Sequence, residues 1–113
     1  MNVYDKINEL ADALRNSNEM KEYIEIKKEV FKEPKNKETV NSFREKQIEV
    51  QQLVMQGKED EAVKKEELLR QMYKILLENE SIKKMFDAEV RFDVLVGDMY
   101  RILGEAIREA MED

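Results

Sequence analysis

Apolar side chains recur along this chain at spacings of three and four with polar ones between them, and no stretch alternates one for one over a strand length. That is the period of an amphipathic helix, whereas a half-buried strand alternates. Val3, Ile7, Leu10 and Leu14, with Ala11 beside them, predict a first helix over residues 3–15. Asp5, Lys6, Glu9, Asp12 and Arg15 fill its other side. Asn16, Ser17 and Asn18 then interrupt the pattern, as short polar side chains that compete for backbone hydrogen bonds do at helix ends. Ser17 is the expected N-cap of a second helix reaching residue 32, with Met20, Tyr23, Ile24, Ile26, Val30 and Phe31 on a stripe broad enough to touch two neighbours. Pro34 ends it, because the residue before a proline is pushed out of the α region, and residues 33–37 read as a linker.

A third helix is expected over 38–56, where Val40, Phe43, Gln47, Val50 and Val54 share one line, flanked by Ile48 and Leu53. Gln47 on that line would be a buried amide in need of partners. Gly57 is placed to stop the helix in the left-handed conformation, and the acidic residues that follow suit the positive end of a new one. The fourth helix, 61–78, uses Ala62, Leu69, Met72, Tyr73, Leu76 and Leu77, and the short turn before it reads as an antiparallel hairpin. Asn79 closes it, and Ser81 is the expected cap of the fifth, 81–111. Its stripe is Met85, Phe92, Val96, Met99, Leu103, Ala106 and Ala110, with Ile82, Phe86, Ile102 and Ile107 alongside. Thirty residues of helix span roughly 45 Å, against a radius of gyration of about 13 Å for a domain of this size. Either the helix kinks near Gly97 or Gly104, or its far end packs on another copy or another protein. The expectation is one all-α domain over 1–113: an elongated bundle of about five helices with a long carboxy-terminal helix that dimerises, its interaction face at Phe92, Val96, Met99 and Leu103.

Composition narrows the chemistry. Among 113 residues there is no cysteine and no histidine. Disulfides, thiolate nucleophiles and zinc–thiolate sites are therefore absent, as are the usual general base near neutral pH and the commonest metal ligand. The net charge of −6 is uneven: residues 1–77 hold 15 basic and 16 acidic side chains, residues 78–113 hold 5 and 10. An acidic tail helix is a poor surface for phosphate backbones. Lys27, Lys28, Lys32, Lys35 and Lys37 keep RNA binding open as an alternative, although Glu25, Glu29, Glu33 and Glu38 mixed among them also fit a plain solvated face. The amino terminus carries charge where a signal peptide would need an apolar core, and no apolar run approaches the roughly 20 residues needed to cross a bilayer. The expected location is the cytoplasm.

Candidate sites are few. Glu89 shares a helix face with Met85, Phe92 and Val96, so its carboxylate could bind a metal, pair with a cation or reach solvent. Di-iron bundles add Glu-x-x-His motifs, which this chain cannot supply, and pairing is the expected role. The hydroxyls of Ser17, Thr39, Ser42 and Ser81 sit in no G-x-S-x-G or S-x-x-K motif. The three glycines are isolated, so no phosphate-cradling loop exists. Of seven methionines, Met20, Met72, Met85 and Met99 fall on apolar stripes and read as core filling, while Met55 and Met111 lie near helix ends. No catalytic, cofactor-binding or metal-binding residue is assigned.

The order of these residues resembles the YlbF/YmcA family of small bacterial helical proteins, and within it the YheA-like branch. The likeness lies in Tyr4-Asp5, Leu10-Ala11-Asp12-Ala13-Leu14-Arg15 and Ser17, then in Phe43-Arg44, Gln47, Gln51 and Gln52. It continues through Gln56-Gly57-Lys58-Glu59, Ile82, Ala88-Glu89, Phe92, Leu95, Gly97-Asp98 and Ile102. The resemblance implies long carboxy-terminal helices that pair between subunits, and non-enzymatic work as a partner in complexes regulating competence, sporulation, biofilm formation or RNA processing. Some relatives contribute cysteines to Fe–S clusters; without cysteine, this chain does not inherit that cofactor.

Overall fold

The computed structural model describes residues 2–112 and contains five helices: α1 Val3–Arg15, α2 Asn18–Phe31, α3 Pro34–Met55, α4 Glu59–Leu76 and α5 Glu80–Met111. Among the described residues there is no strand. Side-chain and backbone caps set the boundaries. Asn2 caps α1 by accepting from the Tyr4 N–H at 2.8 Å. The Ser17 hydroxyl accepts from the Met20 N–H at 3.2 Å and donates to the Leu14 carbonyl, so it ends one helix and starts the next, as expected. Between α3 and α4, Gly57 has φ of 77°; its N–H reaches the Val54 carbonyl and the Lys58 N–H reaches Leu53. This pairing of orphan carbonyls is the Schellman arrangement, and it requires the left-handed residue that glycine adopts without steric cost.

Three expectations need correction. The stretch 33–37 is not a linker: Glu33 is the extended N-cap and Pro34 the first residue of α3. Proline lacks an N–H that the first turn would leave unpaired anyway, and its fixed φ suits helix entry, so it ends α2 and begins α3 at once. Ser81 is not the cap of α5. Asn79 is: its Oδ1 accepts from the N–H groups of Ser81 and Ile82 at 3.0 and 3.2 Å, and its amide donates to Asn36. Gln47 is exposed, so no buried amide needs partners there. Replacing Asn79 by alanine is expected to cost about 1 kcal/mol, read as a lowered urea midpoint with an unchanged slope.

The chain divides into two compact units, residues 27–84 and the remainder, with the divisions falling inside α2 and α5. In the first unit α3 and α4 pack as an antiparallel hairpin. The register follows from three pairs: Asn36 meets Asn79, the Phe43 and Tyr73 rings lie 5.8 Å apart, and Lys65 reaches Glu49. Val30, Val40, Phe43, Ala62, Leu76 and Ile82 are its buried apolar side chains. Among the described residues of the second unit only Met85, Phe86 and Ala88 are buried, and α1 buries nothing. Its helices are tied by side chains: Tyr23 stacks on Phe92 at 6.0 Å, and Arg91 pairs with Glu22 at 2.8 Å. Helix α5 runs unbroken through Gly97 and Gly104 for 32 residues, about 48 Å.

Candidate interaction surface

The second unit carries a run of apolar surface without cover. Helix α5 keeps one apolar stripe along its length, but its burial does not follow. Met85 is fully buried. Phe92, Val96 and Met99 are half-buried, and Leu103 is 48% exposed. Beyond it Ile107 is 61% and Met111 79% exposed. Helix α1 runs along this open end: Val3, Ile7 and Leu10 line a groove of about 320 Å³ with Leu103. Val3, Tyr4 and Ile7 are more than half exposed, although they form the apolar face of a strongly amphipathic helix. The four residues expected from the sequence thus lie on one stripe, with Leu103 alone reaching the open groove. The expected face includes no α1 residue, although Val3, Ile7 and Leu10 carry the signal, since their stripe is as regular as that of α5.

Other candidates have local partners. The Glu89 carboxylate is half-buried and accepts from the Tyr23 hydroxyl at 3.1 Å, beside the Tyr23–Phe92 stack. Arg91, two residues further along α5, is engaged with Glu22. Among the described residues no three acidic side chains converge on a common point that could hold a metal. Thr39 donates to the Lys35 carbonyl one turn back. In the lysine-rich segment, Lys27 lies over the Phe31 ring at 5.4 Å and Lys32 pairs with Glu29 at 2.8 Å. Only part of that cluster is therefore available as a basic stripe. The remaining ion pairs, such as Lys6–Glu9, Arg15–Asp12 and Arg70–Glu67, are exposed and worth little. No described helix is long and apolar enough to cross a membrane.

Fold and surface together define a class: an all-helical protein with an uncovered apolar face and charged groups paired along its helices. Comparison with known proteins makes this specific. Residues 3–108 match the family described as control of the competence regulator ComK, YlbF/YmcA, and the chain belongs to that family. A UPF0342 protein of Symbiobacterium thermophilum is 34% identical over 105 residues, covering 93% of each chain. One of Caldicellulosiruptor saccharolyticus is 35% identical over 108 residues, covering 94% of this chain and 88% of its own. One of Halalkalibacterium halodurans is 34% identical over 111 residues, covering 96% and 92%. No solved structure matches significantly.

Proposed function

We propose that this protein is a non-enzymatic helical adaptor in bacterial regulation, and that its α1–α5 face pairs with a second copy. The observation that carries this reading is the burial break along α5. A stripe that is buried at Met85 continues through Phe92, Val96, Met99 and Leu103 to Ile107, yet among the described residues none beyond Ala88 is buried. Exposed apolar area on this scale, rimmed by charge, marks an interaction surface. With Val3, Ile7 and Leu10 it offers a two-helix face that a second copy covers by symmetry, closing four helices around one core. The regulatory role is supported by the family, whose description is control of the competence regulator ComK. Its non-enzymatic character is supported by a chain without cysteine or histidine in which the Ser17 and Thr39 hydroxyls are spent on helix backbone.

The test is solution mass by light scattering over a concentration series, on wild type and on the double variant Leu103→Glu/Ile107→Glu. Both side chains are about half exposed or more, so charging them leaves the fold of a single chain in place. Wild type is expected at twice the chain mass of 13.5 kDa and the double variant at the single mass, with the same far-UV helicity. A monomeric wild type throughout, or a variant that still dimerises, sinks the reading.

A further inference from the structure

Along one side of their hairpin, α3 and α4 leave a second apolar groove, about 360 Å³ in volume. Its floor is Leu68, Met72 and Ile75, at i, i+4 and i+7 of α4, and its rim is Lys46 and Glu49 from α3 with Lys65 from α4. Leu68 and Ile75 are 59% and 66% exposed, so this floor faces water. We propose that the groove is the docking site for an amphipathic α-helix of a protein partner, bearing apolar residues at i, i+3 or i+4, and i+7 and an acidic residue on its flank. The proposal rests on the adaptor reading and deepens it. An adaptor needs a face for something other than itself, and this one is built wholly from the unit that does not contain the α1–α5 face.

Length, backbone chemistry and charge select the occupant. From Leu68 to Ile75 the floor covers about 10.5 Å, two turns of a helix. Both walls are helices, whose N–H and C=O groups are bonded internally. An extended strand would find no ladder partner there and would lay unpaired polar backbone on apolar side chains. A helix satisfies its own backbone and offers matching apolar anchors. At the rim, Lys65 is held by Glu49 at 3.4 Å, while Lys46 makes no ion pair among the described residues. An acidic side chain on the incoming helix complements Lys46; a basic one is repelled by it. Nucleic acid is a poor occupant, since it would meet the Glu49 carboxylate and only two cations.

The test selects binders to the full-length protein from a displayed library of helical peptides about 15 residues long. Enriched peptides are then titrated against wild type, Ile75→Lys, Lys46→Glu and Leu103→Glu/Ile107→Glu. The expected winners carry the apolar spacing and a flanking Asp or Glu. Ile75→Lys weakens them about tenfold or more, and Lys46→Glu weakens them up to about fivefold. Exchanging the peptide's acid for lysine restores binding to Lys46→Glu. Light scattering on Ile75→Lys is run alongside, so loss of the groove is read separately from loss of the dimer. The proposal is overturned if no enriched peptide loses affinity on Ile75→Lys, if the winners show no acidic preference, or if binding is lost only in Leu103→Glu/Ile107→Glu.

Discussion

Replacing Phe43 by alanine is expected to lower the free energy of unfolding by about 3–5 kcal/mol, the range for deleting a buried aromatic ring. Phe43 is buried between the two helices of the hairpin and meets the Tyr73 ring tilted at 30°, so the change removes transfer energy, a cavity's worth of contacts and an aromatic pair. Domains of this size are stable by about 5–15 kcal/mol in all, and the loss is thus more than half of the total at the lower end. Urea denaturation followed by far-UV circular dichroism reads it as a fall in midpoint. Tyr73→Phe keeps the ring and is the control, with a change below about 1 kcal/mol. A Phe43→Ala protein as stable as its parent would mean that the hairpin is not packed as described.

The second large effect is a contrast within one stripe. Met85→Ala removes a fully buried side chain and is expected to cost about 2–5 kcal/mol at any protein concentration. Leu103→Ala, on the same line but about half exposed, is expected to cost about 1 kcal/mol or less in dilute protein. Pairing changes only the second number. If copies associate through α5, the penalty at Leu103 grows with concentration, because association stabilises the folded state by mass action. Melting both variants at two concentrations far apart separates the cases. Equal costs at the two positions would show that burial does not break along α5.

Much of this molecule is legible in its pattern of apolar positions. The period of three and four fixes five helices, and Ser17 and Gly57 mark ends because each has one conformational use there. The misplacements are of three kinds. Asn79 and Ser81 are both good caps two residues apart, and only the direction of the Asn79 side chain decides between them. Pro34 ends one helix and begins another, two meanings that the residue type alone does not separate. Gln47 shares a line with Val40 and Phe43 but is exposed, while Val50 beyond it is half-buried, and the line alone does not say which of its positions are covered. The uncovered α1–α5 face shows the same difficulty in reverse. A stripe records that a side chain avoids water and is silent on what covers it, so Met85 and Leu103 look alike in sequence and differ in the fold. Half of the face, on α1, lay in view with no length mismatch to draw attention to it.

The joints between helices have a consequence for the protein's lifetime. They are two residues at Asn16 and Ser17, two at Lys32 and Glu33, three at 56–58 and three at 77–79. A protease must thread an extended segment through its cleft, and exposed loop tips are where it ordinarily finds one. These joints are too short to be drawn out without opening the helices on either side. Cleavage between the first helix and the last therefore waits on opening of the fold, and turnover tracks the unfolding equilibrium. A substitution that weakens the hairpin core would then lower the amount of protein in a cell before it altered anything the protein does there.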